Sequence, residues 1–424
     1  MSDVRDRMRV YVVNTGTELL LGNVVNTHLA FMARELFPLG LRIDKQVTVP
    51  DGDAIQEELS AALKAADIIF VTGGLGPTTD DITREAAAEL LGLSLLQNNE
   101  VASAIKLRLR TRGFPMTDRI LRQADVPEGA QVLPNANGTA PGLYLRTKGK
   151  LANKHLFLLP GPPRELEPMF RRAVLPILIE INKGNTAAAH KTFRIACVGE
   201  SVVEAAIGEQ LLALKDVELG YCSRPGEVDV RVIGSSAAID EAERIIKEAF
   251  GAQLYTMADE SLEEVIVRML RDADKTVAIA ESCTGGALAN RLTNVPGASS
   301  VFLAGYVTYA NSAKSSALGV WLSDIEKYGA VSEVVAAQMA EGALSKARAD
   351  YALATTGIAG PDGGTDEKPL GTVFIALASS GGKTVVQRRR FLTDRQSFKQ
   401  LVTETALELL RERLVAEQPQ SAEA

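Results

Sequence analysis

The chain has 424 residues, of which 46% are hydrophobic and 23% are charged, so it is long enough for about three globular domains and is neither disordered nor fibrous. Its formal net charge of −7 attracts neither nucleic acid nor anionic lipid, and no apolar run reaches the ~18 residues that span a bilayer, so we predict a soluble, cytoplasmic protein with no membrane partner. The three cysteines and three histidines have no disulfide or zinc spacing, which disfavours zinc hydrolases and Ser-His-Asp hydrolases.

The first segment, residues 1–172, alternates apolar stretches of strand length with helix-like periodicity, which predicts an α/β domain. Strands are predicted at residues 9–13, 67–72 and 155–159, and each ends in a loop rich in glycine or proline that leads into a helix. In a doubly wound sheet such loops gather at the carboxyl ends of the strands, where ligands bind. We therefore predict a ligand site at that edge.

The remaining chain divides into two further segments. The sequence pattern of residues 173–255 predicts a small unit of strand, helix, two strands and a second helix. The pattern of residues 256–424 again predicts alternating strands and helices, as in an α/β domain. In the third segment, strands are predicted at residues 276–280, 302–309, 351–356, 372–378 and 384–391, and helices at 261–271, 286–292, 332–348 and 395–413.

The glycine-rich loop GGLGPTTDD follows the predicted strand at residues 67–72. Glycines let the backbone approach a ligand, and amides at the next helix start can hold phosphate. The adjacent carboxylates of Asp80 and Asp81 suit a hard cation such as Mg²⁺ that bridges to phosphate oxygens. The alternative is a turn in which one of these aspartates caps the following helix. The candidate ligand-binding residues here are Gly73, Gly74, Gly76 and Thr78.

Two other loops of the first segment belong with this one. GTELLLGNVVNTH places Glu18 just past the first strand as a third candidate metal ligand, and PNANGTAPG supplies Gly138 and Thr139 for substrate binding. Together the three loops resemble those of the molybdopterin-binding (MoaB/MogA-like) domain.

The sequence ESCTGG follows a predicted strand of the third segment and opens a helix. Ser282 is a candidate nucleophile there, with neighbouring amides as an oxyanion hole, and the alternative is an ordinary helix N-cap. Cys283 is a rival nucleophile, but the last third of the chain has no histidine to activate it. The candidate substrate-binding residues beside it are Thr284, Gly285 and Gly286.

A nucleophilic serine without a histidine needs another base, and lysine is the usual substitute. Lys314, in VTYANSAK, lies five residues beyond Tyr309 at a predicted strand-to-helix junction. To act as a base its pKa must fall from ~10.4 towards neutral pH, which requires a desolvated site; a lysine at the surface is the alternative. Another strand ends in TTGIAGPDGG, which offers a substrate the hydroxyl of Thr356 and the amides of Gly357 and Gly360.

Seven motifs make the chain similar to the CinA family of competence/damage-inducible proteins, and they occur in that family's order over essentially the whole chain. One departure is Ala310 in VTYANSAK, where the family commonly has serine; it involves none of the proposed catalytic atoms. The motifs are GTELLLG, GGLGPTTDD, GTAPG, LPGPPREL, ESCTGG, VTYANSAK and TGIAGPDGG.

The resemblance implies an α/β protein in which two α/β/α sandwich domains flank a small α+β KH-type domain. It implies that the MoaB/MogA-like domain, residues 1–172, is a metal-dependent ADP-ribose pyrophosphatase using Mg²⁺ or a similar divalent cation. It implies that residues 256–424 form a nicotinamide-nucleotide amidohydrolase (PncC-like) domain, which deamidates nicotinamide mononucleotide (NMN) to nicotinate mononucleotide and ammonia without a cofactor. Both are hydrolase activities of pyridine-nucleotide salvage and NAD recycling.

The resemblance also assigns roles to particular residues of the third domain. Matched motif by motif, the family's catalytic serine, lysine, tyrosine and threonine correspond to Ser282, Lys314, Tyr309 and Thr356. An arginine that follows the last strand of the family corresponds best to Arg395 and is assigned to substrate binding.

Partners and alternatives follow from the same comparison. A KH domain that grips RNA uses a GxxG loop, which is missing between residues 190 and 251, where seven basic and eleven acidic residues occur; we therefore expect a spacer and no nucleic-acid partner. A homodimer is expected, with the alanine-rich helix 332–348 as a candidate contact. For the first domain, nucleotide or pterin binding without turnover and a molybdopterin adenylyltransferase role both remain open.

Overall fold

The computed structural model describes residues 7–182 and 189–417. The chain divides into two compact units, Met1–Ala188 and Ala189–Ala424. Within the described residues, no helix combines the length and the apolar character needed to cross a membrane.

The strands and helices of the first unit alternate along the chain, as predicted. Its strands are β1 (Val10–Thr15), β2 (Ile43–Val49), β3 (Ile68–Thr72), β4 (Leu95–Gln97), β5 (Asp125–Pro127), β6 (Gln131–Leu133), β7 (Gly142–Arg146) and β8 (His155–Leu159). Its helices are α1 (Thr17–Leu20), α2 (His28–Leu36), α3 (Ala54–Ala65), α4 (Thr83–Leu91), α5 (Asn99–Arg112), α6 (Asp118–Leu121), α7 (Pro163–Met169) and α8 (Leu175–Ile181).

A six-stranded sheet with the order β2-β1-β3-β8-β7-β6 forms the centre of this unit. Strands β2, β1, β3 and β8 are parallel to one another. Strand β7 is antiparallel to β8, and β6 is antiparallel to β7. Alternate residues of β3 point to opposite faces: Ile69 and Val71 pack with α3 and α4 on one face, and Ile68 and Phe70 pack with α2 and α7 on the other. The unit is therefore an α/β/α sandwich.

The first unit extends further along the chain than predicted. Helix α7 continues through a π-helical segment, Phe170–Val174, into α8, which ends at Ile181. Val174 and Leu178 are fully buried in the same core as Phe70. The boundary predicted at residue 172 thus falls inside a helical run, because the polar residues and the glycine that signal a helix end come later, at residues 182–185.

The second unit contains the predicted elements and some that were not predicted. Its strands are β9 (Ala189–Ala196), β10 (Glu218–Arg224), β11 (Glu227–Gly234), β12 (Leu254–Thr256), β13 (Val277–Glu281), β14 (Phe302–Val307), β15 (Tyr351–Gly357), β16 (Thr372–Ser379) and β17 (Val385–Arg390). Its helices are α9 (Glu200–Leu212), α10 (Ser236–Phe250), α11 (Leu262–Asp272), α12 (Ala287–Thr293), α13 (Asn311–Leu318), α14 (Leu322–Tyr328), α15 (Glu333–Ala347) and α16 (Arg395–Glu417).

The amino-terminal part of this unit is the small α+β domain. Its sheet has the order β10-β11-β9-β12 and is antiparallel throughout. Helices α9 and α10 cover one face, where residues such as Phe193, Ile207 and Ile246 form the core. Strand β12 was not predicted, since three residues are too few to show a period.

The rest of the unit is a second α/β/α sandwich. Its sheet has the order β14-β13-β15-β16-β17, with the first three strands parallel and the last two antiparallel to their neighbours. Helices α11, α12 and α16 pack on one face, and α13, α14 and α15 pack on the other. The carboxyl ends of β13, β14 and β15 therefore meet at one edge.

The alanine-rich helix α15 packs inside this sandwich. Its buried Ala336, Ala340 and Ala343 lie in the same core as Ala278 and Ala352 of the sheet, because small side chains on both elements let them approach closely. That face is therefore not available as the dimer contact suggested from the sequence. The homodimer itself stays a prediction.

Candidate active sites

Ser282 and a buried lysine meet at the carboxyl ends of β13 and β14. Lys314 Nζ, on the first turn of α13, lies 3.1 Å from Ser282 Oγ. It also donates to the carbonyl oxygens of Thr308 at 2.8 Å and Tyr309 at 3.1 Å. Lys314 is only 1% exposed and Ser282 is 9% exposed. The alternative of a surface lysine is therefore wrong.

Burial sets the protonation of this pair and its neighbour. Desolvation lowers the pKa of Lys314 below its ordinary value, which favours a neutral amine. Burial also raises the pKa of the Cys283 thiol to about 12, so that thiol stays protonated near neutral pH and gives Lys314 no anionic partner. Since the thiolate is the nucleophilic form of cysteine, Cys283 is a poor rival to Ser282.

A buried glutamate that the sequence analysis overlooked holds the start of α12. The carboxylate of Glu281 accepts hydrogen bonds from the amides of Gly286 at 2.9 Å, Leu288 at 3.1 Å and Ala289 at 2.8 Å. Its side chain is buried, and the N-cap residue of α12, Gly286, supplies no side-chain hydrogen bond of its own. The capping role considered for Ser282 therefore belongs to Glu281.

This arrangement changes the choice of oxyanion donors. The Gly286 amide is occupied by Glu281, and the Gly285 amide donates to the carbonyl of Ser282 at 3.2 Å. Within the described residues, the amides of Cys283 and Thr284 donate no hydrogen bond to the backbone or to another side chain. Of the two residues, Cys283 borders the cavity at Ser282, so its amide is the one left beside Ser282 for a developing oxyanion.

The three residues after Cys283 support the turn and do not border the cavity at Ser282. The hydroxyls of Thr284 and Thr355 are 2.8 Å apart, and both residues are fully buried. Gly285 and Gly286 have φ angles of 61° and 95°, a conformation that glycine adopts without strain. The substrate-binding role predicted for these three residues has no support in this geometry.

One cavity of about 270 Å³ collects the other candidates of this domain. The hydroxyl of Thr356, a fully buried residue, donates to the carbonyl of Ala330 at 2.8 Å. Asn311 and Asp362 also border the cavity; the sequence analysis missed both, although Asp362 lies inside the motif TGIAGPDGG. The predicted residues around the cavity are Ser282, Tyr309, Lys314, Thr356, Gly357, Gly360 and Arg395.

Arg395 links two loops at the mouth of this cavity. Its Nη2 donates to the hydroxyl of Tyr309 at 3.1 Å, and its Nη1 donates to the carbonyl of Gly360 at 2.8 Å. No carboxylate of the described chain pairs with it, so its charge is available to an anion.

In the first unit, a cleft of about 370 Å³ lies where β1, β3 and β8 end. Thr78 does not border it; instead its amide and hydroxyl donate to the carboxylate of Asp81. Gly138 borders an adjoining cavity of about 280 Å³ beside α5. The predicted residues that border the cleft are Glu18, Gly73, Gly74, Gly76, Asp80, Asp81 and Thr139.

Glycine is required in the loop after β3 because other atoms crowd it. A Cβ on Gly73 would lie 2.6 Å from the carbonyl oxygen of Thr15, and one on Gly76 would lie 2.5 Å from Asp81 Oδ2. Neither aspartate caps α4, whose start has no side-chain hydrogen bond. The capping alternative for this loop is therefore wrong.

The carboxylates around the cleft are hard oxygen donors. Glu18, Asp51, Asp80 and Asp81 all border it. Among the described residues, however, no three His, Cys, Asp or Glu side chains stand together where they alone could hold a metal. The donor chemistry fits Mg²⁺ held by one or two carboxylates together with substrate phosphate and water, and Glu18, Asp80 and Asp81 do not form a complete protein ligand set.

A buried histidine near this cleft was not singled out from the sequence, where histidines were considered only as metal ligands and as catalytic bases. His28 Nδ1 lies 3.3 Å from Thr72 Oγ1, and that hydroxyl donates to Asn14 Oδ1 at 3.0 Å. Burial lowers the pKa of His28. The neutral ring thus ties α2 to the ends of β1 and β3.

Three models of protein families match the chain. They are the probable molybdopterin binding domain at residues 11–180, the damage-inducible protein CinA KH domain at residues 190–255 and the CinA C-terminal domain at residues 259–414. The chain is thus an α/β protein with a MoaB/MogA-like, a KH-like and a CinA C-terminal domain.

Relatives match along nearly the whole length. A CinA-like protein from Akkermansia muciniphila is 45% identical over 401 residues, which cover 95% of this chain and 96% of that protein. A putative competence-damage inducible protein from Caldicellulosiruptor saccharolyticus is 40% identical over 416 residues, which cover 96% and 100%. The chain belongs to the CinA family. The crystal structure of the competence/damage inducible protein CihA from Agrobacterium tumefaciens covers 37% of this chain and 98% of its own, with 39% identity and a TM-score of 0.35.

Proposed function

We propose that the third domain hydrolyses the carboxamide of NMN to nicotinate mononucleotide and ammonia. The observation that carries this proposal is the 3.1 Å contact between Lys314 Nζ and Ser282 Oγ in a buried site. A serine paired with a neutral lysine is a known solution for attack on an amide carbonyl when histidine is absent.

The reaction proceeds through an acyl-enzyme. Neutral Lys314 takes the proton of Ser282, whose Oγ attacks the carboxamide carbon, and the amide of Cys283 stabilises the oxyanion. Lys314 then gives its proton to the departing nitrogen, which leaves as ammonia. Water, deprotonated by Lys314, attacks the ester, and Ser282 recovers its proton as nicotinate mononucleotide leaves.

Arg395 and Tyr309 orient the substrate in this proposal. A guanidinium without a carboxylate partner is suited to the phosphate of NMN, and its bond to the Tyr309 hydroxyl holds both side chains at the cavity mouth. Thr356 supports the wall through Ala330. Lys314 supplies the base and a backbone amide supplies oxyanion stabilisation, so this mechanism needs no cofactor.

The test is ammonia release from NMN by the full chain and its Ser282→Ala variant. We expect the variant to lose several orders of magnitude in kcat/KM and to keep its fold, because the lost hydroxyl removes one hydrogen bond worth about 1 kcal/mol. Ser316→Ala, an exposed position on the same helix as Lys314, is the matched control. Near-normal turnover by Ser282→Ala would overturn the assignment.

For the first domain we propose metal-dependent hydrolysis of ADP-ribose to AMP and ribose 5-phosphate. One or two of the carboxylates of Asp80, Asp81 and Glu18 would hold a divalent cation together with the pyrophosphate, and the cation would neutralise charge on the phosphoryl oxygens. Gly73, Gly74 and Gly76 border the cleft, which supports contact of the loop backbone with that pyrophosphate.

A second candidate for this domain is a nucleotide- or pterin-binding regulatory module without turnover. The lack of a three-residue ligand set in the described chain favours it. Incubating the full chain with ADP-ribose and Mg²⁺ separates the two: AMP formation supports the pyrophosphatase, and binding without product supports the regulatory module.

A further inference from the structure

A second, larger cavity lies beside the proposed amidase site. Its volume is about 1040 Å³, and it opens between the β10–β11 hairpin, α12 and the first turns of α16. Gly226, at the hairpin tip with a φ of 91°, packs on α16, because a Cβ there would lie 2.7 Å from Glu404 Cγ. Arg395 borders both cavities.

The acidic side chains around this cavity already have partners. Glu227 accepts from the hydroxyl of Tyr255 at 2.6 Å and pairs with Arg224. Glu263 pairs with Arg291 at 2.7 Å. Asp394, just before α16, accepts hydrogen bonds from two backbone amides of that helix and so serves as its cap.

Two basic side chains of α16 have no such partner. Lys399 makes no hydrogen bond or ion pair with any described residue, and Arg395 contacts only a phenol and a carbonyl. They stand four residues apart on one helix face. The cavity therefore offers two uncompensated positive charges on its α16 wall, which suits a phosphate.

At the other end of this wall, a buried carboxylate lacks one hydrogen bond. Glu404 is 3% exposed and borders the cavity. Its Oε2 lies 2.8 Å from Arg291 Nη1, whereas its Oε1 is buried with no hydrogen-bond partner in the described chain. Leaving a buried acceptor unpaired costs about 1–3 kcal/mol, so a ligand donor that reaches this oxygen supplies a hydrogen bond that the protein does not. Burial also raises the pKa of Glu404 to about 7.

We propose that this cavity binds a nucleotide, with its phosphate between Arg395 and Lys399 and an N–H of its base donated to Glu404 Oε1. Glu404 lies five residues beyond Lys399 and nine beyond Arg395, an axial rise of ~8 to ~14 Å, which brackets the reach of an extended mononucleotide from phosphate to base edge. Gln396, Gln400 and Asn290 border the cavity between these ends and offer hydrogen bonds to a ribose. The volume is that of a site for a cofactor-sized ligand.

Binding here also acts on Arg395. A phosphate that engages its guanidinium competes with the bonds to Tyr309 and Gly360 that hold the mouth of the proposed amidase cavity. A bound nucleotide is therefore expected to change the KM for NMN, and this consequence, unlike the binding itself, rests on the proposed function.

The test is equilibrium dialysis of radiolabelled AMP against the full chain in the presence of a chelator, which weakens phosphate binding that depends on metal. We expect saturable binding that Lys399→Ala weakens at least tenfold and that Asn290→Phe, which places a ring in the cavity, also weakens. Lys383→Ala, at an exposed turn, is the matched control and should bind as the parent does. Thermal unfolding checks that each variant is folded.

Three outcomes would overturn the proposal. One is the absence of saturable AMP binding at millimolar concentration, and another is equal affinity in the parent, Lys399→Ala and Asn290→Phe. The third is loss of the AMP site in Lys314→Met, which would put the nucleotide in the amidase cavity. None of these three binding measurements depends on whether the chain deamidates NMN. The nucleotide-site proposal and the amidase proposal can therefore be refuted independently of each other.

Discussion

Replacing Lys314 by methionine tests the Ser–Lys centre without a gross change of shape, because methionine keeps a long, unbranched apolar stem. The amine that is lost contacts Ser282 Oγ and the carbonyls of Thr308 and Tyr309. Two carbonyl oxygens then lose a buried donor, but the cost of burying an amine disappears. We therefore expect the free energy of unfolding to fall by about 1–3 kcal/mol, which leaves the variant folded.

The effect on catalysis should be far larger than the effect on stability. A base and nucleophile that act as one unit lose nearly the same activity singly or together. Lys314→Met, Ser282→Ala and the double variant should therefore all lose several orders of magnitude in kcat/KM for NMN. Lys346→Met, an exposed position on α15, should keep parental activity.

The pH profile gives this prediction a definite sign. Burial lowers the pKa of Lys314, and only the neutral amine accepts the serine proton, so the parent's kcat/KM should fall as pH drops through that lowered pKa. Residual activity of Lys314→Met should lack this limb. A coupled assay of ammonia release over a range of pH measures both. Additive losses in the double variant, or a pH limb that survives in Lys314→Met, would refute a role for Lys314 as the base.

Three further perturbations have definite outcomes. Cys283→Ala should keep ammonia release within about threefold, since a thiol whose pKa is about 12 does not supply the nucleophile; a loss of orders of magnitude would contradict this. Asp80→Asn with Asp81→Asn should abolish ADP-ribose hydrolysis and leave NMN deamidation unchanged, as should a chelator, and joint loss would mean coupled sites. Glu404, with its pKa raised from 4.5 to about 7, keeps in the folded state a proton that the unfolded chain releases; chemical denaturation should therefore show the parent losing up to about 3 kcal/mol between roughly pH 5 and pH 8. Glu404→Gln should lose less over that range, and equal losses would show that another group titrates.

Several residues around the Ser–Lys cavity could be predicted because they stand at the ends of strands, whereas Arg395 was assigned only through the family resemblance. Ser282, Tyr309 and Thr356 follow β13, β14 and β15 or end them, and parallel strands bring their carboxyl ends to one edge. Lys314 could be predicted to join them because it lies on the helix that begins at this edge, after β14. Strand order and direction alone were enough to bring these side chains together.

Other features depend on contacts that no local pattern reveals. Glu281 looks like the last residue of a strand, and only the path of the turn shows that its carboxylate takes three amides. The glycines after it therefore seemed free to bind an oxyanion. In the same way, the sequence around Glu404 looks like that of an exposed helix with several acidic residues. Glu404 is buried because the hairpin tip at Gly226, more than 170 residues earlier in the chain, packs against it.

The glutamate at the start of α12 fixes which end of an anionic substrate the proposed amidase cavity can accept. A helix start attracts anions through its free amides and partial positive charge, and here an internal carboxylate has taken that place. A phosphate therefore gains nothing beside Ser282 and has Arg395 as its cationic partner among the cavity residues. Under the proposed function, an anionic substrate would enter with its uncharged end towards Ser282, because a phosphate placed there would be repelled by the carboxylate of Glu281.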